Sequence, residues 1–367
     1  MTAAPERFDV AILGGGPAGA AAALSLRQLR PNLRVAIVEA SQYSAWRVGE
    51  TLSPGCRELL ASLGCWERFA AERFLESFGT RAVWGGDEPY DHEFLFSARG
   101  SGWHVDRARF DAMLCAAAQD AGTKVLTAHF AGAESLESGW KLRLRHRSRD
   151  SDWIEAAWVI DATGRAAAFA VRQGARRLAA DRLVGVAVRF RASGSDASTL
   201  VEAQSDGWWY SAATPDSGLV VVWMSDADLV RRQALSDRSR WFQQLARSTH
   251  TAARVAGAVA EAGPLIRAAH SQRLSDFGGE GWLAAGDAAC TFDPLSSQGI
   301  LKALRTGKIA SFAAIDGLED RGASSLARYE GLLAAEYSQY LETRAWFYGQ
   351  ERRWPESAFW ARRQPGS

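Results

Sequence analysis

The hydrophobic pattern changes period within the first thirty residues. Val10 to Leu13 is an unbroken apolar run, as expected of a strand buried on both faces of a parallel sheet. Glycines interrupt it, and Ala18 to Leu29 then reads as an alanine- and leucine-rich helix. Leu33 to Val38 is a second apolar strand, ending in Glu39. The stretch from Ser41 to Pro54 is small, polar and Gly/Pro-punctuated, which predicts a loop. Arg57 to Leu63 and Trp66 to Glu76 read as helices, the first stopped by Gly64. Thr80 to Trp84 and Glu93 to Ser97 read as strands around the turn Gly85-Gly86-Asp87. Asp106 is a plausible N-cap for a helix from Arg107 to Ala121, after which Thr123 to Ala128 rejoins the first sheet.

Ala131 to Leu136, Trp140 to Arg147 and Trp153 to Ile160 read as antiparallel strands. Lys141 to Arg147 alternates at period two, so its basic residues form one solvated face rather than a nucleic-acid patch. From Arg176 to about Ala269 the texture differs. Leu183 to Arg191 and Leu219 to Met224 read as strands, and Ser236 to Arg247 and Ala252 to Ala262 as helices. Between the strands lies Gly207-Trp208-Trp209-Tyr210. Neighbours on a strand face opposite ways, so at least one of these rings is expected to line a cavity or an interface. A strand from Gly281 then ends in Gly286-Asp287, and a Pro/Ser/Gly loop leads into a helix from Ile300 to Ile315. Ser325 to Tyr348 is a long helix, followed by an Arg/Trp-rich tail expected to lie on the surface.

The pattern predicts an α/β protein: a Rossmann-like nucleotide-binding domain interleaved with a β-sheet substrate domain, and C-terminal helices. The expected boundaries are 1–50, 100–175 and 270–320 for the first, 51–99 and 176–269 for the second, and 321–367 for the helical segment. The 367 residues are enough for two joined domains. Lys+Arg 43 against Asp+Glu 42 argues against a protein that coats nucleic acid or an anionic membrane. The four cysteines carry no C-x-x-C pair and no metal spacing, so ordinary thiols, a reducing cytoplasmic compartment and no metal are expected. The first strand begins too early for a signal peptide, and no apolar run is long enough to span a membrane. The 15 tryptophans suggest a large core mixed with an aromatic-lined cavity.

Candidate chemistry collects at the strand ends. Gly14 permits a tight turn, Gly16 lets backbone approach a pyrophosphate, and Gly19 lets helix pack on strand. Phosphates would sit at the following helix N-terminus, beside Pro17 and Ala18. Glu39, followed by Ala40, stands near the offset of about 20 residues expected of a ribose-binding carboxylate. Arg47 is a candidate for phosphate or substrate and Glu50 for the reacting centre, each equally well read as a surface ion pair. Arg107 is a phosphate-facing candidate, although a cation at a helix start is unfavourable without an anion. Asp161-Ala162-Thr163-Gly164 suggests a second pass by the cofactor, and Asp287 a sugar hydroxyl acceptor. The helix start near Gly299 suits an electron-rich ring atom or a phosphate.

These three spaced motifs together resemble the FAD-dependent monooxygenase superfamily with the para-hydroxybenzoate-hydroxylase-like fold, over nearly the whole chain. The resemblance implies one FAD. Its adenosine would lie at the glycine motif, Glu39 and Ala40, with Arg107 in contact and the ribityl at Asp287. The isoalloxazine would lie beside Pro294, Ser297, Gln298, Gly299 and Ile300. Arg47-Val-Gly-Glu50-Thr-Leu-x-Pro54, Gly207-Trp-Trp-Tyr210 and Phe292-Asp-Pro-Leu-Ser-Ser-Gln-Gly-Ile300 look closest to one branch. That branch holds the flavin-dependent tryptophan halogenases and the flavoproteins that mature tryptophan-derived quinone cofactors.

The halogenase details fail. Trp-x-Trp-x-Ile-Pro is replaced by Trp208-Trp-Tyr210-Ser-Ala212-Ala213, no lysine stands near Phe78-Gly79-Thr80, and Pro-Leu-Glu-Ser becomes Pro294-Leu-Ser296-Ser297. The resemblance therefore implies a monooxygenase that hydroxylates a tryptophan of a partner protein, an oxidase or dehydrogenase precursor subunit, on the way to a cysteine-tryptophylquinone-type cofactor. It would use O2 and reducing equivalents from NAD(P)H or a separate flavin reductase. Glu50, Trp209 and Tyr210 are expected on the substrate side. The alternatives are a hydroxylase of a free small aromatic, with halogenation behind it, and a non-oxygenating flavoprotein chaperone of an oxidase.

Overall fold

The computed structural model describes residues 4–93, 100–146, 152–191, 196–319 and 322–364. Its first sheet runs Gly278–Gly279, Trp282–Ala284, Asp152–Asp161, Glu6–Leu13, Val35–Glu39, Lys124–Thr127. All neighbours from Trp282–Ala284 onward pair in parallel. Leu13 registers with both Val38 and Asp161, and Asp161 with Ala284. Four strands far apart in sequence therefore end on one rim, which is where a parallel α/β sheet places its ligand crevice.

The helix Pro17–Leu29 packs against the helix Gly299–Leu318 over this rim. Both faces are small-residue surfaces. A Cβ at Gly307 would collide with the Ala18 carbonyl, and Ser311 bonds Ser25 at 2.7 Å inside the contact.

A second, seven-stranded sheet has the order Val259–Ala268, Leu183–Arg191, Gly218–Asp226, Gly207–Thr214, Thr199–Gln204, Gly79–Val83, Tyr90–Glu93. It is antiparallel except where Thr199–Gln204 meets Gly79–Val83. Residues alternate between two cores, as the strand period requires. Trp208, Tyr210, Val222 and Met224 face one, and Trp209, Val221 and Trp223 the other. A small sheet joins Thr51–Leu52, Gly102–His104 and Leu75–Ser77. The long helix Gly322–Gly349 touches both bodies: Tyr329 bonds the Ala284 carbonyl at 2.6 Å, and Tyr348 meets the Trp208 indole N–H at 3.1 Å. Among the described residues no helix is long and apolar enough to cross a membrane.

Several expectations need correction. The helix from Trp66 stops at Ala71, because Arg73 adopts a left-handed φ of 52°, and Leu75–Ser77 becomes a strand. The helix expected over Ala252 to Ala262 is only His250–Arg254. Gly257 breaks it at φ 78°, and the alanine-rich Val259–Ala268 pairs with Leu183–Arg191 instead. The strand Asp152–Asp161 is antiparallel only to Gly139–Arg145 and parallel to its other neighbours. The tail is not a surface appendage. Phe359 and Trp360 are fully buried, and Arg363 pairs with buried Asp226 at 2.6 Å. Residues 94–97 and Arg147, expected in strands, lie outside the described residues.

Candidate cofactor and substrate site

A cavity of about 880 Å³ lies between the two sheets. At one end it is walled by Gly14, Gly16 and Glu39 of the parallel rim. At the other it reaches Gly185, Ala187, Tyr210, Val222 and Met224 of the second sheet. It is continuous, so it has room for a ligand held on the rim to reach the apolar wall opposite.

The glycines separate into two kinds. A side chain at Gly14 would collide with the Ala162 carbonyl, and one at Gly19 with the Gly14 carbonyl, so both serve close packing. Added Cβ atoms at Gly16, Gly164 and Gly299 meet nothing within 4 Å, and all three glycines line the cavity. They leave room for something other than protein. Gly16 and Gln298 precede the helices Pro17–Leu29 and Gly299–Leu318, and neither helix start has a side-chain cap. Free N–H groups at two helix ends thus face one cavity, suited to phosphate and to an electron-rich ring edge. These features fit FAD.

Glu39 lines the cavity and holds the backbone N–H groups of Gly15 and Ser41 at 2.6 and 2.7 Å, fixing the turn around the expected ribose position. Arg47 and Arg107 both line the cavity and share one fully buried carboxylate, Asp111, at 2.7 and 3.2 Å. Asp111 supplies the anion that makes Arg107 tolerable at a helix start. The two guanidiniums leave an excess positive charge on the phosphate side.

Asp161 does not line the cavity. Buried beneath it, Asp161 accepts from Thr163 N and Oγ1, Phe169 N and Ala170 N, and so shapes the turn that puts Thr163 and Gly164 on the wall. Gly286, at φ 63°, similarly turns the chain so that Asp287 reaches the cavity. Pro294, Ser297, Gly299 and Ile300 line it, as do Pro17, Ala18 and Ala40, while Gln298 is exposed and does not.

Asp287 pairs at 2.7 Å with Lys302, whose ammonium also bonds the Cys290 carbonyl and sits 5.0 Å over the Phe292 ring. Lys302 holds the Asp287 carboxyl below its ordinary range against the opposing effect of burial. Sequence reading passed over Lys302; its signal was a lone lysine within Ile300-Leu301-Lys302-Ala303-Leu304. It also passed over Asp293, a buried cavity residue bonded by Tyr348 at 2.8 Å and Leu295 N at 2.9 Å, with Arg344 at 3.3 Å.

On the substrate side, Tyr210 lines the cavity but Trp209 does not. Trp209 points through the sheet to Trp223 and Trp241, at 4.9 and 5.2 Å between ring centroids, so its surroundings are those of a core residue. Glu50 is buried just behind the wall. One carboxylate oxygen accepts from Gly49 N at 2.9 Å, and the other has no hydrogen-bond partner among the described residues. Burial pushes Glu50 up to about 7, despite opposing backbone N–H groups and Arg107.

The unfolded residue titrates near 4.5. Between these values the unfolded chain releases a proton that the folded chain keeps, so stability falls as pH rises across that window. The full cost, about 3 kcal/mol, is present above pH 7. In the FAD-free chain Glu50→Gln is therefore expected to exceed the native protein in stability by up to that amount above pH 7. The difference fades below pH 4.5 in urea titrations across pH.

Comparison with known proteins agrees with this geometry. A family model for the FAD binding domain matches residues 7–305. LodB of Marinomonas mediterranea, assigned as an FAD-dependent oxidoreductase, is 31% identical over 98% of this chain and 97% of its own. The flavin-dependent halogenase CmlS superposes with a TM-score of 0.88 at 26% identity, covering 100% of this chain and 68% of its own. QhpG, a peptidyl tryptophan dihydroxylase essential for tryptophylquinone cofactor biogenesis, shares the fold with a TM-score of 0.75 at 23% identity, over 97% of this chain and 78% of its own.

Proposed function

This chain belongs to the FAD-binding-domain family, and we propose that it is a monooxygenase that hydroxylates a tryptophan side chain of a partner protein while a tryptophan-derived quinone cofactor is built. The partner is a precursor subunit of an oxidase or dehydrogenase. The observation that carries this reading is the single cavity joining a nucleotide cradle to an apolar wall of Gly185, Ala187, Val222 and Met224. Similarity to LodB over 98% of this chain supports flavin redox chemistry, and the fold shared with QhpG, a peptidyl tryptophan dihydroxylase, supports a protein-borne ring over a free one. Phe78-Gly79-Thr80 supplies no ammonium and Pro294-Leu295-Ser296-Ser297 no carboxylate, which sets the reading apart from halogenation.

A bound flavin, with electrons from NAD(P)H or a separate reductase, would supply O2 activation and oxygen-atom transfer to an electron-rich ring. The chain's residues supply position and dryness. Arg47 and Arg107 would hold the phosphate side, Asp287 with Lys302 the sugar side, and the helix start at Gly299 the ring edge. The wall and Tyr210 would orient the indole, and Glu50 lies just behind the wall as a carboxyl that burial pushes up to about 7.

Binding energy from the rest of a large substrate supports the chemical step, so a truncated substrate loses turnover. With reduced FAD and O2, free indole and free tryptophan are expected to be oxygenated about 100-fold more slowly than an unmatured oxidase subunit, as read by product mass. Equal rates would favour a hydroxylase of free aromatics.

A further inference from the structure

Behind Tyr210 lies a chain of hydrogen bonds whose direction is fixed at its far end. The Tyr210 hydroxyl is 2.8 Å from Thr51 Oγ1, which is 3.2 Å from His104 Nδ1. His104 Nε2 is 2.8 Å from the Ala197 carbonyl. His104 is fully buried, and burial pushes it down to about 4, with Arg254 adding to the effect and Asp196 opposing it. It is therefore neutral at working pH, with one ring nitrogen protonated.

The Ala197 carbonyl can only accept, so Nε2 carries the hydrogen and Nδ1 is bare. Thr51 must then donate its only hydroxyl hydrogen to Nδ1, and cannot donate to Tyr210 or to Thr199 Oγ1, 3.4 Å away. Tyr210 in turn donates its only hydrogen to Thr51. Tyr210 and Thr51 both line the cavity, and the phenol oxygen between them is left with lone pairs and no hydrogen to offer. Burial and the neighbouring Glu50 charge raise the Tyr210 pKa, so it stays a neutral phenol.

We infer that Tyr210 is a hydrogen-bond acceptor selecting an aromatic ring that bears an N–H or O–H donor, and that Thr51 and His104 are positioning residues that set this polarity. The inference rests on the proposed function for the identity of the ring, an indole, and adds which edge of it is recognised. An indole N–H meets an acceptor already turned toward it. A ring with an acceptor at the same place meets another acceptor, and a site built this way rejects it.

The test uses the FAD-loaded protein with indole and benzofuran, rings of one shape in which an N–H is replaced by an oxygen acceptor. Calorimetry reads binding without turnover. Indole is expected to bind about tenfold more tightly. The preference should persist in Thr51→Ser and vanish in Tyr210→Phe. In Thr51→Val, where the Tyr210 hydrogen is released to the cavity, it should flatten or invert. A merely structural role for Thr51 would weaken both probes alike and leave the ratio at ten.

Nitrogen NMR of His104, one of six histidines, gives a second readout that needs no variant of the relay. The Nε2–H tautomer is expected throughout pH 6 to 8, and the Nδ1–H tautomer would overturn the inference. So would equal binding of the two probes, no binding of either at millimolar concentration, or a preference that survives Tyr210→Phe. If the indole preference holds while a partner protein gains no oxygen, the proposed function fails and the acceptor assignment stands.

Discussion

Gly16→Val is expected to give a folded protein that purifies without FAD. Gly16 has φ −75° and ψ −173°, an extended conformation open to any residue, and apart from its chain neighbours an added Cβ there meets no atom of the described residues within 4 Å. The cost to the FAD-free fold should stay within about 0.5 kcal/mol. The same open volume is where the pyrophosphate approaches the uncapped start of the helix Pro17–Leu29. A valine side chain there displaces the phosphates from the backbone N–H groups. Losing two or more charge-assisted hydrogen bonds weakens FAD binding by at least about 100-fold. Flavin absorbance of the purified variant and thermal melts of both apo proteins check the two halves. A yellow variant, or an apo form that melts far earlier than the native apo form, would contradict the assignment.

Arg363→Ala is expected to cost the fold about 3 kcal/mol, the low end of the range for stranding a buried charge. Arg363 and Asp226 have side-chain exposures of 3% and 1% and meet at 2.6 Å. Removing the guanidinium leaves Asp226 with Arg362, at 2.7 Å and 37% exposed, which softens the loss. The Arg363 guanidinium also stacks 3.7 Å over Phe359, so packing is lost with the charge. A fall in the urea midpoint of the size implied by that cost would establish the tail as part of the core that backs Trp208. A change below about 1 kcal/mol, the range of surface pairs, would return the tail to the surface.

The tail shows where sequence reading stops. Trp360 and Arg363 are legible as an aromatic and a cation, but their partners Gln204, Asp226 and Tyr348 belong to elements distant or separately folded. Nothing local announces the contact. The cofactor rim is the opposite case. Gly14, Glu39, Gly164 and Asp287 each follow a short apolar strand, so every motif carries its own address, and parallel register then brings them together. Val259–Ala268 misled because alanine favours helix when nothing else decides, whereas here pairing with Leu183–Arg191 decides. Trp208, Trp209 and Tyr210 were legible as an alternating strand, but not which face meets the cavity. That depends on where the second sheet docks, and it separates Tyr210 from Trp209. Lys302 showed only as a lone lysine in an apolar run, and the relay through Thr51 and His104 not at all, for the same reason: each matters through a partner that only the fold supplies.

Oxygenation of a protein-borne tryptophan leaves a covalent mark on the partner. Its most direct measurement is the intact mass and peptide map of a candidate oxidase subunit encoded nearby, expressed with and without this protein. One or two added oxygen atoms are expected on a single tryptophan, dependent on this protein and lost with Gly16→Val. A subunit that matures to the same mass without it would contradict the account, and stable binding with no added oxygen would leave a chaperone in place of an enzyme.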